Sequence, residues 1–169
     1  VPTDITITGG LTIAENSSIG TEIGTLSTTD SDAGDTHTYS IVPESTAFKI
    51  VAPNKLVSKR ILDYETQSSY GITLRTTDAA NATYDKQITI NITNINEAPT
   101  ITGTPATTVN EDSVYTFSPT GSDVDAGTTL RYGVLNKPSW ATFNAATGEL
   151  TGTPGNSNVG TTTGIKFSV

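Results

Sequence analysis

Residues 28–41 read TTDSDAGDTHTYSI, and residues 121–134 read GSDVDAGTTLRYGV. The two stretches share a D-x-D-A-G segment followed by a tyrosine. Three pairs of residues correspond at a spacing of 93 positions: Asp30 with Asp123, Asp32 with Asp125, and Tyr39 with Tyr132. A repeat of this length indicates two similar modules, each large enough to be a small domain.

The similarity extends to both sides of these stretches. ITGG…IAEN at 7–16 matches ITGT…VNED at 101–112, and YGITLRT at 70–76 matches TGIKFSV at 163–169. We therefore expect one domain over residues 1–97 and a second over 98–169, joined near TNINEAPT. The second repeat stops before any counterpart of Asp78 or of the segment 83–93. We expect the second module to lack its last strand and to leave an open sheet edge, which favours pairing with another chain.

The pattern of residues predicts β-strands throughout the first module. Short segments of alternating apolar and polar residues lie between turn signals, at 4–8, 22–28, 37–42, 47–51, 55–59, 69–76 and 83–93. Thr, a β-branched residue that favours strands, is the most frequent residue type. Seven strands in one module is the number of a Greek-key sandwich. The sequence predicts an all-β chain of two tandem Greek-key, immunoglobulin-like β-sandwiches.

Composition excludes several classes of protein. The net charge of −8 and the isoelectric point near 4.4 argue against binding to nucleic acid or to anionic lipid. No apolar run is long enough for a transmembrane helix. The chain has no Cys and one His, so neither a disulfide framework nor a zinc or copper site is expected. An acidic chain of this kind is suited to binding hard cations.

The carboxylates concentrate at predicted turns and strand ends. The clustered ones are Glu15, Asp30, Asp32, Asp63, Glu65, Glu97, Asp123 and Asp125. Calcium takes about six to eight oxygen ligands from carboxylates, amides and carbonyls. The linker residues Asn94, Asn96 and Glu97 offer such oxygens. Asp, Asn and Gly are also ordinary turn residues, so a single D-x-D-x-G segment does not decide between a turn and a metal site.

The order of these motifs over residues 1–99 resembles that of the cadherin repeat. The family pattern is met by Glu15 in IAENS, Asp30 and Asp32 in TDSDAGD, Asp63 and Glu65 in ILDYETQ, Asp78 in TTDAAN, and NINEAP at 94–99. The resemblance implies that calcium binds between successive repeats. The implied inter-domain ligands are Glu15, Asp63, Glu65, Asn94, the Ile95 carbonyl, Asn96, Glu97, Asp123 and Asp125.

Two features of the motifs modify this expectation. Asn94 and Glu97 stand where the family prefers Asp, and the lower charge predicts weaker binding than a full set of three ions. Asp30, Asp32 and Asp78 form an incomplete half-site at the other end of the first module. Glu111, the counterpart of Glu15, is likewise left without partner motifs.

The second module resembles the dystroglycan-type, cadherin-like and immunoglobulin-like modules of bacterial surface proteins. The resemblance rests on PSWATFNAATGELTGTP at 138–154. In the second module, TGTP at 151–154 stands where the first module has the segment LDYE at 62–65. Together the two resemblances imply a secreted, extracellular part of a large bacterial adhesin or surface protein, with Ca²⁺ stiffening the joint and neighbouring repeats of the same chain as partners.

Three alternatives follow from other residues. A carbohydrate-binding module attached to a polysaccharide-degrading or surface protein would use Trp140, with Tyr115 and Tyr132, although PSWATF is also where these modules bury core aromatics. An enzyme is not expected, because the single His37 is predicted as an exposed residue at a turn edge. Homophilic adhesion through an N-terminal Trp is not expected, since Val1 has no Trp near it.

Overall fold

The computed structural model of the protein describes residues 1–32 and 34–169 and is built from β-strands. Two compact units divide the chain, unit 1 (Val1–Ile95) and unit 2 (Asn96–Val169). The strand content confirms the prediction of an all-β chain. In the described residues, no helix has the length and apolar character needed to cross a bilayer.

Unit 1 is a sandwich of two four-stranded sheets. Its strands are β1 (Pro2–Thr8), β2 (Thr12–Ala14), β3 (Glu22–Asp30), β4 (His37–Ile41), β5 (Phe48–Val51), β6 (Lys55–Ser58), β7 (Ser69–Asp78) and β8 (Thr83–Thr93). One sheet has the order β1-β3-β6-β5 and the other β2-β8-β7-β4. All pairs are antiparallel except β2 with β8. The short β2 thus carries the chain from the first sheet to the second.

The core of unit 1 follows from the alternation within its strands. Side chains of a strand point to opposite faces in turn. In β8, Ile88, Ile90 and Ile92 are buried while the Thr and Asn residues between them are exposed. They pack with other buried residues, including Leu56, Leu62 and Leu74. Each fully buried side chain of this size contributes about 1.5–3 kcal/mol to folding.

Unit 2 is made of shorter strands. They are β9 (Thr100–Thr102), β10 (Tyr115–Phe117), β11 (Thr120–Ser122), β12 (Gly133–Leu135), β13 (Ala141–Phe143), β14 (Leu150–Gly152) and β15 (Lys166–Ser168), with one turn of 3-10 helix at Asn156–Asn158. They pair antiparallel as β10-β14-β13, β11-β9 and β12-β15.

The apolar side chains of unit 2 are less completely covered than those of unit 1. Among the described residues, its buried aliphatic side chains, prolines apart, are Ala141 and Leu150. Phe167 makes an edge-on contact with Phe117, with ring centroids 4.9 Å apart, yet both rings are half-buried. Trp140 is half-buried as well, so it is less enclosed than the core position that the sequence favours.

The register of strand pairing reproduces the 93-residue repeat. The matched pairs across β4·β7 and β12·β15 are Ser40 opposite Arg75 and Gly133 opposite Ser168. Equivalent glycines, Gly34 and Gly127, have φ angles of 86° and 85°. A side chain at these positions would be strained, so the turn explains why the glycine recurs.

Toward the N-terminus of each unit the spacing is 96 residues. Equivalent pairs across the first strands are Ile5 opposite Thr28 and Ile101 opposite Gly121. The positions Asn16 and Asp112 are both left-handed, with φ angles of 57° and 60°. The structure therefore equates Ile101 with Ile5, two residues from the match that the ITGG and ITGT segments predict.

Candidate metal centre

Glu15 is a buried carboxylate held by backbone amides. It follows β2 directly, and its residue is 3% exposed. The amide of Ile95 donates to Oε1 and the amide of Tyr64 donates to Oε2, each over 2.8 Å. In the part of the chain that the structure describes, no Lys, Arg or His forms an ion pair with Glu15. Burial of an unpaired charge is costly, so a cation would be favourable here.

Asp63 is fixed by the turn that it begins, in the loop between β6 and β7. The Thr66 amide donates to Oδ1 over 2.9 Å, and the Thr66 hydroxyl donates to Oδ2 over 2.8 Å. These hydrogen bonds to the charged form hold the pKa of Asp63 below its ordinary value. The carboxylate therefore stays ionised at neutral pH. Thr66 was not predicted from the sequence, although a Thr three residues after an Asp in a turn is the signal for this contact.

Three carboxylates of unit 1 converge in one cluster. Glu15, Asp63 and Glu65 each offer an oxygen, and these oxygens all lie within 4.8 Å of one another. Oxygens bound to one calcium at about 2.3–2.6 Å can be no more than roughly 5 Å apart. The spacing therefore fits three ligands of a common ion.

The linker lies beside this cluster. The side-chain amide of Asn94 donates to Oε1 of Glu65 over 3.0 Å. An amide can ligate a metal only through its oxygen, so Asn94 would have to turn its amide over to become a ligand. Ile95 is tied to the cluster by the hydrogen bond from its N–H to Glu15, and its carbonyl stays a predicted ligand.

The predicted ligands of unit 2 are also close to one another. The amide of Asp125 donates to Oδ1 of Asp123 over 3.0 Å, and the amide of Glu97 donates to Oδ2 of Asp125 over 2.8 Å. The side-chain amide of Asn96 donates to the carbonyl of Glu97 over 2.8 Å. In unit 1, the amide of Asp32 donates to Oδ1 of Asp30 over the same 3.0 Å. The two D-x-D turns therefore have the same local hydrogen bond.

The second acidic group of unit 1 consists of Asp30, Asp32 and Asp78. The Val1 ammonium donates to Asp30 over 2.8 Å and to Asp32 over 2.7 Å, and lies 3.8 Å from Asp78. This ammonium group, followed by the Asp32 amide, holds the pKa of Asp30 far below its ordinary value. The structure thus brings the three predicted half-site residues close together, each with an oxygen no more than 3.8 Å from the Val1 nitrogen.

His37 is placed differently from the prediction. The sequence predicts an exposed residue at a turn edge, but the His37 side chain is 12% exposed and its Nε2 lies 2.9 Å from Oδ2 of Asp30. His37 begins β4, whose pairing with β7 draws the ring against the acidic turn. The strand start was predicted, but the cross-turn contact with Asp30 was not.

The aromatic residues proposed for carbohydrate binding have different environments. The hydroxyl of Tyr132 accepts a hydrogen bond from the Gly121 amide over 3.1 Å, which indicates a structural role. Tyr115 and Trp140 meet edge-on, with ring centroids 6.0 Å apart, and both border a groove of unit 2.

The turn at Asp63 gives a first testable prediction. Thr66→Val removes the hydroxyl donor and keeps the backbone donor, so the pKa of Asp63 should rise toward its ordinary value. The stabilisation from a lowered pKa is present above the unfolded-state pKa and is lost as pH falls through the folded-state pKa. The variant should therefore lose less stability on acidification. NMR titration of the Asp63 carboxyl measures the shift. Thr116→Val is the control, because the Thr116 hydroxyl pairs with the Thr151 hydroxyl and not with a carboxylate. An unchanged Asp63 pKa would contradict the role of Thr66.

Comparison with known proteins finds two domain families in the chain. Residues 11–93 match the family described as Cadherin domain, and residues 98–168 match the family described as Putative Ig domain. This arrangement confirms the two resemblances predicted from the motifs.

Individual relatives give the same picture. Protocadherin gamma-A11 from Pan troglodytes and from Homo sapiens are 34% and 33% identical to this chain, in alignments 106 residues long that cover 58% of this chain. The chain spans 11% of the length of these curated relatives.

Solved structures extend the likeness to the fold. The human protocadherin-24 EC1-2 structure has a TM-score of 0.70 at 19% identity, covering 100% of this chain and 94% of that one. Protocadherin Gamma B2 extracellular cadherin domains 1-5 gives a TM-score of 0.69 at 19% identity, covering 99% and 38%. These neighbours confirm two tandem immunoglobulin-like β-sandwiches.

Proposed function

Because this chain joins a cadherin domain to a domain of the Putative Ig family, we propose that it is a calcium-binding extracellular module of an adhesion protein. Calcium is proposed to stiffen the joint between the two domains. The proposed ligands are Glu15, Asp63, Glu65, Asn94, the Ile95 carbonyl, Asn96, Glu97, Asp123 and Asp125. The bacterial adhesin expected from the sequence is the specific form of this proposal and stays a prediction.

The observation that carries the proposal is the environment of Glu15. Its carboxylate is buried and held by two backbone amides, while Asp63 and Glu65 each bring an oxygen within 4.8 Å. All the candidate metal-ligand atoms in this group are carboxylate oxygens, and oxygens are the ligands that calcium prefers. A divalent cation would offset most of the negative charge of these three carboxylates, and calcium would supply that positive charge.

Repulsion between the carboxylates explains how the proposed ion would stiffen the joint. Without a cation, like charges a few ångströms apart repel by about 1 kcal/mol or more per pair. The repulsion opposes any arrangement that brings the acidic ends of two units together. Calcium with ligands from both units reverses the sign of this interaction and holds the linker in one conformation. The product is a stiff spacer that displays other parts of a surface protein at a distance.

Bound calcium would also stabilise the fold. A ligand that binds only the folded state adds about 2.7 kcal/mol at a hundred times its dissociation constant. The chain has no disulfide to supply such stability outside the cell. The proposal therefore accounts for a cysteine-free extracellular domain.

The test is a calorimetric calcium titration of chelator-stripped protein, paired with small-angle X-ray scattering with and without calcium. We expect dissociation constants of about 10⁻⁵–10⁻³ M and a narrower distribution of inter-domain distances when calcium is bound. Asp125→Ala should remove both effects. Asp85→Ala is the control, because Asp85 pairs with Arg75 on the surface of β7 and β8. Absence of binding up to millimolar calcium would overturn the proposal.

A further inference from the structure

Unit 1 has a polar groove alongside β7 and β8. Its volume is about 720 Å³, which lies within the usual range for small-molecule sites. It is lined by residues 43–46, which follow β4, by residues 70–73 and 87–89, and by Arg60 and Gln67. Among the described residues, the lining includes none of the proposed calcium ligands.

Gly71 lies inside β7, where the fold itself does not require a glycine. β7 pairs with β8 from Ser69 to Thr77 in unbroken register, so there is no bulge at Gly71. Its φ angle is not in the left-handed region, and a Cβ added to it would have no heavy atom within 4 Å. A glycine inside a strand weakens the strand and often marks a bulge or the close approach of a backbone or a ligand.

Packing explains the other glycines of the described strands. A Cβ added to any of them would lie between 2.5 and 2.8 Å from another heavy atom; they are Gly24, Gly121, Gly133 and Gly152. Gly71 differs because the space next to it is open, and this space belongs to the groove. The reason that remains for Gly71 is the close approach of a molecule other than the described chain.

Arg60 gives the groove a positive charge that no acidic residue offsets by an ion pair in the described ranges. Its Nη2 donates to the Tyr70 hydroxyl over 2.8 Å, and the Tyr70 ring packs edge-on against buried Phe48. The acidic residue of the lining, Glu44, pairs with Lys59 over 2.5 Å. A positioned guanidinium of this kind can bind a carboxylate through parallel N–H bonds.

Hydroxyl and amide groups surround the open space at Gly71. Across β7 and β8, Gly71 is opposite Thr89 and Thr73 is opposite Gln87. These four residues share one face of the sheet, because the side chains between them point to the core. Hydroxyl and amide groups of this kind both donate and accept hydrogen bonds, as the hydroxyl groups of a sugar do.

We propose that this groove binds an acidic saccharide, a sugar ring that carries one carboxylate. The carboxylate pairs with Arg60, and the ring lies over Gly71 in the space that any side chain would fill. The ring hydroxyls exchange hydrogen bonds with Thr73, Gln87 and Thr89. Unit 1 thus attaches to an acidic polysaccharide, a role separate from calcium binding and from the aromatic residues of unit 2.

The probe is trigalacturonic acid, titrated into the isotope-labelled two-unit protein and followed by NMR. The buffer is free of calcium, because carboxylates of the probe also bind calcium. The control ligand is the methyl ester of the probe, which keeps the rings and removes the charge. We expect amide shifts at Gly71, Thr73, Gln87 and Thr89, and binding of the ester that is weaker by about tenfold or more.

Three results of this titration would overturn the proposal. Equal affinity for the acid and the ester would remove the role of the carboxylate. An equal response to acetyl-trialanine would make the groove a site for peptide carboxylates. The third is the absence of any shift up to about 10 mM of the acid, an affinity too weak for a specific site.

Gly71→Val tests the open space. It introduces neither a clash nor a left-handed residue, and Val favours strands. The midpoint of unfolding should therefore not fall, while binding of trigalacturonic acid should weaken by about tenfold or more, since the side chain takes the place of the ring. Ser40→Val is the control, because Ser40 is exposed on β4 of the same sheet and does not line the groove.

Arg60→Gln tests the charge. It should weaken binding of the acid by about tenfold or more and leave binding of the ester nearly unchanged. Arg131→Gln removes the same charge from an exposed residue of unit 2 and should change neither. Unaltered affinity in Gly71→Val or in Arg60→Gln would overturn the proposal. Gly71→Val should bind calcium as the unaltered protein does, so failure of this site and failure of the calcium site are distinguishable.

Discussion

Glu15→Gln should weaken calcium binding by about a hundredfold or more, since changing even an outer partner of a metal ligand typically costs 10–100-fold. The substitution keeps the size of the side chain and removes its charge. It also places an NH₂ group against the amide of either Tyr64 or Ile95, because both Glu15 oxygens accept backbone N–H groups. Two facing donors in a buried site should destabilise calcium-free unit 1 by about 1–3 kcal/mol.

Calorimetry measures the affinity, and chemical denaturation of chelator-treated protein measures the stability. Glu44→Gln is the matched control, because Glu44 is exposed and pairs with Lys59 at the surface. We expect this control to change neither quantity appreciably. If Glu15→Gln bound calcium as tightly as the control, Glu15 would have only a structural role.

Leu74→Ala should destabilise unit 1 by about 2–5 kcal/mol, the usual cost of removing a fully buried Leu side chain from a core. The equivalent change in unit 2, Phe167→Ala, should cost less than the usual 3–5 kcal/mol for a buried Phe, because Phe167 is half-buried. Amide exchange of β8 reports unfolding of unit 1, and Trp140 fluorescence reports unfolding of unit 2. Separate readouts are needed because two domains need not unfold as one.

The control for this pair is Ile19→Ala, since Ile19 is 61% exposed. A surface change of this kind should alter the stability by no more than about 0.5 kcal/mol. A loss at Leu74 as small as that at Ile19 would contradict the place of Leu74 in the core of unit 1. A loss at Phe167 as large as that at Leu74 would show that unit 2 is as well packed as unit 1.

Long alternating segments made most of unit 1 predictable. The predicted strand at 83–93 coincides with β8, and the predicted strand at 22–28 ends two residues before β3 does. β2 was not predicted because three residues are too few to show an alternation of apolar and polar side chains. Its parallel pairing also depends on β8, which lies about 80 residues away in the sequence. The individual strands of unit 2 were not predicted for the same reason, since each of them has only three residues.

The residue types at the candidate site could be predicted, but their surroundings could not. Motif order pointed to Glu15, Asp63 and Glu65, and the structure brings them together. The burial of Glu15 and its two amide donors depend on how the linker and the Asp63 turn fold back. A sequence pattern does not show such long-range backbone contacts, and it did not show the contact of His37 with Asp30.

The matching D-x-D turns of the two units have a consequence for evolution. The D-x-D turns at Asp30–Asp32 and Asp123–Asp125 make the same hydrogen bond. A duplicated gene segment would therefore encode a new domain that already contains this turn. Domains could then be added to a protein without the evolution of new residues for the joint between them. Unit 2, however, carries TGTP where unit 1 has Asp63 and Glu65. If calcium links such units, a site on the far side of unit 2 would lack these two carboxylates and should bind calcium more weakly than the joint between units 1 and 2.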